Sequence, residues 1–129
     1  MSYDASIIYP PCACCGRSAD STEIGNMTSN VGAMYRVVLP GPYEGGGRYD
    51  GVGTVDPQRS GLPGLSGLLC TVAAPLMRAA LAEMKAREDE MLALEPANGW
   101  GNYGGAFNYL TECAEACEAN PGGVFAVNW

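Results

Sequence analysis

The residues that invite a chemical reading first are six cysteines in a chain without histidine. Cys12 and Cys15 stand two residues apart, and Gly16 follows them. A tight turn with that spacing aims two thiolates at one tetrahedral metal, as in a zinc knuckle. One knuckle supplies two ligands, so Cys14, Cys70, Cys113 or Cys117, or a neighbouring subunit, would supply the rest of a structural zinc site. Cys113 and Cys117 share one face of a helix and could complete four thiolates. They read better as small core residues on an apolar stripe, because free cysteine is among the most buried residue types. A redox use of Cys12 and Cys15 fits less well, since no βαβ pattern adjoins them. The missing histidine removes the commonest general base near neutral pH, and with it a Ser–His or Cys–His dyad within one chain. No other nucleophile–base pair presents itself, so the expectation is a protein that is not an enzyme.

Two further clusters mix amides with aromatic or thioether groups. In "GNMTSNVGAMY", Asn26, Thr28 and Asn30 alternate just ahead of a helical pattern. Side chains of these types satisfy the free N–H groups of a helix start. Capping accounts for one or two of them and leaves the third, beside Met27, Met34 and Tyr35, without a role. In "PANGWGNYGGAFNYL", Asn98-Gly99 predicts a tight turn and Asn102 a helix cap. Trp100 is then expected in the core, with its indole N–H needing a partner. Tyr103, Gly104 and Gly105 would form a helix start whose N–H groups are open to a ligand, where the helix dipole favours an anion. A stacking face beside bare donors would grip a flat, polar molecule. The alternative is a buried Trp–Asn corner that docks the helix onto a sheet.

These residues need elements to hold them. Tyr3, Ala5, Ile7 and Tyr9 alternate with Asp4, Ser6 and Ile8, the period of a strand, which Pro10-Pro11 would stop. "GGVFAVNW" puts Val124, Ala126 and Asn128 on one face and Phe125, Val127 and Trp129 on the other. The two terminal strands are expected to pair antiparallel. Val31, Met34, Tyr35 and Val38 have helical spacing, with Ser29 or Asn30 as the cap. A long helix is predicted from about Ala73 to Leu94, with Met77, Leu81, Met84 and Met91 as its apolar seam and Pro75 in or near its first turn. A third runs from Asn102 to about Ala119 along Phe107, Leu110, Ala114 and Cys117, ended by Asn120-Pro121-Gly122. Residues 40–64, rich in glycine and proline, are too long for an ordinary connection. They read as a lid, an oligomer arm or an uninvolved surface loop.

Composition narrows the partners. A chain of 129 residues, 47% apolar, predicts one domain with a real core. Its 14 acids and 7 bases give a net charge of −7, which repels phosphate backbones and argues against duplex nucleic acid. The same charge counts against an anionic ligand. Arg17, Arg36, Arg48 and Arg59 are the bases near the amide clusters in sequence. "MSYDASIIYP" lacks the basic start and apolar run of a signal peptide. The uncharged stretch "GLPGLSGLLCTVAAPLM" (61–77) approaches a membrane span in length, but its glycines, prolines and hydroxyls argue against one. A cytoplasmic protein with reduced cysteines and no membrane partner is the expectation.

The segments "NMTSNVGAMY" (26–35), "PANGWGNYGGAFNYL" (96–110) and "EACEANP" (115–121) together resemble a family of small uncharacterised proteins of actinobacteria and their phages. Its pattern is Asn-x-Thr-x-Asn-Val-x-x-Met-aromatic, then Pro-x-Asn-Gly-Trp-Gly-Asn/Asp-Tyr. Some of its members resemble this chain also in a Cys-x-x-Cys-Gly turn, here Cys12 to Arg17. The loop at 40–64 departs from the family. The resemblance implies no activity. It implies that 26–35 and 98–105 form one paired feature, and a phage or mobile-element origin.

The expectation that follows is an α+β fold, about three main helices on a small antiparallel sheet containing both terminal strands. The expected function is non-enzymatic binding of a small polar or nucleotide-like ligand by Asn26, Thr28, Asn30, Asn98, Trp100, Asn102 and Tyr103. In a phage setting this would be an anti-defence sponge that sequesters a nucleotide-derived immune signal. The alternative is a zinc-stabilised structural or interaction protein, an adaptor or virion component, working as a homo-oligomer.

Overall fold

A computed structural model of the chain describes residues 2–9, 14–15, 21–53, 56 and 58–129. Strand β1 (Ser2–Ile8) is the centre of a three-stranded antiparallel sheet, with β2 (Thr22–Thr28) on one side and β3 (Val124–Asn128) on the other. A short 3-10 turn, Ser29–Val31, leads into α1 (Gly32–Val38). After the glycine-rich segment and a second 3-10 turn, Leu62–Leu65, come α2 (Cys70–Ala86), α3 (Glu88–Ala93) and α4 (Tyr103–Ala119). The fold is α+β, as the patterning predicts.

One face of the sheet makes the core. Tyr3, Ala5 and Ile7 of β1 are buried with Phe125 and Val127 of β3, and the helices cover them. The helical seams read from spacing are buried as well: Val31, Met34, Tyr35 and Val38 at α1, Met77, Leu81 and Met84 on α2, and Leu110, Ala114 and Cys117 on α4. Cys70, Cys113 and Cys117 are core residues, each at most 1% exposed. Burial raises the thiol pKa of Cys113, and an adjoining thiol, Cys70, helps to raise that of Cys117. Both are thus held in the protonated form. The packing alternative is the one the geometry favours for this pair.

Three elements differ from expectation. First, β2 occupies the stretch read as a helix approach, and the alternation of Asn26, Thr28 and Asn30 begins in a strand. Its ladder with β1 shifts register between Ala5 and Ser6. There the Tyr109 hydroxyl of α4 enters the gap, accepting from Ala5 N (3.2 Å) and donating to Gly25 O (2.9 Å). Second, the long helix starts at Cys70 and breaks at Arg87, where φ is −116°. Arg87 bonds Glu83 on one side of the break and Glu90 on the other. Third, Thr28, not Ser29 or Asn30, caps the turn before α1, accepting from Asn30 N at 3.3 Å.

The edge of β3 that β1 leaves open is met by Asp50 and by the chain from Ser66 to Leu68. Asp50 N donates to Val127 O (3.1 Å), and Val127 N donates to the Ser66 hydroxyl (2.9 Å). Ser66 is fully buried and also bonds the Arg48 carbonyl. Gly67 N and Leu68 O close the ladder onto Phe125. An open edge strand invites pairing with another chain, and this segment removes that edge. That cover is made by Asp50 and by residues 66–68.

Among the described residues no helix is long and apolar enough to cross a membrane. The uncharged stretch 61–77 divides between the second 3-10 turn and the start of α2.

Candidate functional site

The structure brings the two amide-rich segments together through their backbones. A methyl group on Gly101 would lie 2.8 Å from both Thr28 Cγ2 and Val31 Cγ1. With φ at +100°, this position suits glycine for two reasons, close approach and backbone conformation. One turn further along, Gly105 lies against Met27. The buried Tyr35 hydroxyl donates to Ala106 O (2.8 Å) and ties α1 to the start of α4. Met27, Thr28, Val31 and Tyr35 thus meet Gly101, Gly105 and Ala106.

The side chains divide by task. Asn98 accepts from Trp100 N (2.9 Å) and closes the turn. Asn102 caps α4 by accepting from Gly105 N (2.7 Å). Tyr103 is half-buried and packs at a tilt on Phe107, with ring centroids 6.0 Å apart. Asn30 is exposed beside its Thr28 cap. Trp100 corrects the expectation of a core anchor: it is 69% exposed. Gly99 and Gly101 hold the chain in positive-φ turns on either side of it, so the indole stands out from a backbone that is itself fastened down.

The open helix start is corrected as well. Tyr103 N donates to Glu95 Oε2 (2.8 Å), and Gly105 N is taken by Asn102. The anion that the α4 dipole attracts is the chain's own carboxylate. Sequence spacing holds no signal for this, because Glu95 precedes the cap by a whole turn of irregular chain.

Asn26 faces elsewhere. It lies on the outer face of the sheet, where Asp4 stands in register between Asn26 and Asn128. With Ser6, Glu23 and Asp50 they line a cleft of about 330 Å³. Three carboxylates there repel an anion and leave Asn26 apart from the indole. Of the knuckle cysteines, Cys12 lies outside the described residues, as do Gly16 and Arg17, and Cys15 is exposed. Among the described residues no group of three or more Cys, Asp or Glu is placed to hold a metal ion.

On the α1 side of β1 a different cleft gathers Tyr3, Arg36, Asp56, Gln58, Arg59 and Ser60, with a volume of about 310 Å³. Arg36 and Arg59 stand far apart in sequence, and only the fold makes them neighbours of one space. No protein-family model, curated protein or solved structure matches this chain.

Proposed function

We propose that this protein is a non-enzymatic binding protein for a small, flat, polar ligand of nucleotide-like chemistry, in a phage setting a sponge for a nucleotide-derived immune signal. The observation that carries the reading is the exposed indole of Trp100 on a turn held by Asn98 and Asn102 and packed against Thr28. Leaving so large an apolar ring in water has no benefit to folding, whereas an aromatic face beside amides suits stacking and edge hydrogen bonds. Thr28, Asn30, Asn98, Asn102 and Tyr103 supply that surround. Asn26, in the outer cleft, is not part of that surround. The reading is tested by thermal shift with cyclic dinucleotides and ADP-ribose derivatives. A ligand that binds the native state raises the melting temperature. The rise should vanish in Trp100→Ala, whose own stability should change little because the side chain is exposed. No shift with any of these compounds, or an undiminished shift in Trp100→Ala, overturns the reading.

A second reading, a zinc-stabilised adaptor or virion component, draws on Leu69 and Val72, 53% and 48% exposed at the start of α2. Apolar side chains exposed close together suit a partner surface. In this reading Cys12 and Cys15 hold zinc with cysteines from elsewhere in the chain or from a second copy. Elemental analysis should then find about one zinc per chain, or about one per two chains where a second copy supplies the cysteines, lost in Cys12→Ser and kept in Cys14→Ser. Far less than that rules the metal out. Native mass spectrometry separates the readings: a retained small molecule favours the first, a bare homo-oligomer the second.

A further inference from the structure

In a chain of net charge −7, the bases are expected to find acidic partners. Arg78 does so with Glu118 at 2.6 Å, and Arg87 does so with Glu83 and Glu90. Arg36 and Arg59 form no ion pair among the described residues, and both line the cleft beside β1. Arg59 is positioned by an aromatic ring instead of an acid, its guanidinium carbon 5.3 Å from the centroid of the Trp129 ring. Arg36 is held by its stem, with Gly61 packed closely against its Cγ. Between them stands Tyr3, only 5% exposed. Its hydroxyl lies against Gly32, next to an Arg36 terminal nitrogen, and makes no hydrogen bond among the described residues. Asp56 is the one acid among the described residues lining this cleft, and its carboxylate closes a turn by accepting from Gln58 N at 3.0 Å. Two guanidinium groups against one carboxylate leave the cleft positive on a negative protein.

We propose that this cleft is an oxyanion site that takes a phosphate group between Arg36 and Arg59, with the Tyr3 hydroxyl as a further donor. Guanidinium groups match the geometry of phosphate oxygens and form charge-assisted hydrogen bonds to them. A phenol hydroxyl that opens on the cleft gains a bond by donating to such an oxygen. Burial holds the Tyr3 phenol above its ordinary pKa, against the opposing pull of Arg36 and Arg59, so it stays protonated and able to donate at neutral pH. The volume, at the low end for small-molecule sites, suits free phosphate or the phosphate of a small organic molecule. The inference stands apart from the surface around Trp100 and does not depend on it.

The chain has two tryptophans, so Trp100→Phe leaves Trp129, the ring under Arg59, as the single reporter. This variant is titrated with inorganic phosphate and with ribose 5-phosphate, each against sodium chloride at equal ionic strength. A saturable change in Trp129 emission with phosphate and none with chloride is the expected result. Tighter binding of the sugar phosphate assigns the site to an organic phosphate, and equal binding assigns it to phosphate itself. Arg36→Gln should weaken binding about ten-fold or more, the effect of losing a charge-assisted bond. Tyr3→Phe, which removes one oxygen, should weaken it several-fold, and Arg48→Gln should leave it unchanged. Because Arg59→Gln alters the reporter itself, calorimetry reads that variant. Emission that follows ionic strength alone, or unweakened binding in both Arg36→Gln and Tyr3→Phe, overturns the proposal.

Discussion

Deletion of residues 124–129 should abolish the cooperative unfolding transition. The segment carries β3, and β3 is an inner strand in all but name. On one side it pairs with β1 from Asp4↔Asn128 to Ile8↔Val124. On the other it is bonded by Asp50, Ser66, Gly67 and Leu68. Phe125 and Val127 are both fully buried. Burying each is worth about 1.5–3 kcal/mol, and a domain of this size has roughly 5–15 kcal/mol of net stability. Deletion also strips β1 of a ladder and leaves Gly67 N and the Leu68 carbonyl without their partners, a further cost of about 1–3 kcal/mol per group. The sum reaches the whole stability of the domain. Calorimetry or circular dichroism of the truncated chain is the measurement. A sharp melt at the parent temperature would mean that β3 is not part of the folding unit.

The second large effect is expected at Gly47. This residue is buried with φ at +74°, and a Cβ there would collide with the Asp56 carbonyl. The two segments touch because Gly47 N donates to Gly64 O and Gly47 O accepts from Asp56 N, both at 3.1 Å. Gly99 supplies the comparison. Its φ is +75°, but nothing lies within 4 Å of where its Cβ would be. Gly99→Ala therefore measures the backbone strain alone, about 1–2 kcal/mol. Gly47→Ala adds steric conflict with main chain that cannot rotate away, a further 1–3 kcal/mol or so. Denaturant unfolding of both variants tests this. Equal losses would show that residues 47 and 56 are not in close contact, and the edge cover over β3 would then need another basis.

How much of this was legible beforehand depends on whether a signal is local. The terminal strands were, because alternation of large apolar and polar residues has one structural meaning when one face is buried. The end of α4 at Ala119 and its start at Tyr103 were as well, since Asn102 and Asn120-Pro121-Gly122 mark them by their own backbone preferences. Helical spacing named the buried faces of α1, α2 and α4 before their neighbours were known. Net charge and the lack of histidine narrowed the chemistry without reference to any fold.

Other features arise only where distant segments meet. Strand β2 is mostly exposed, so its residues carry no apolar alternation, and pairing with β1 makes it a strand. The break at Arg87 escapes a periodic reading because Met84 and Met91 stay in phase across it, both fully buried. An aromatic in a glycine-rich turn reads the same whether it points in or out. Trp100 points out because Gly101 brings the backbone itself against Thr28 and Val31, leaving the indole no interior to enter. Glu95 reaches the α4 start, and Arg36 meets Arg59, by the course of the chain in space. Local sequence sets which conformations and faces a segment prefers. Which charges share a cleft, and which helix ends are already occupied, is decided by packing, because those energies belong to pairs of residues that no spacing rule connects.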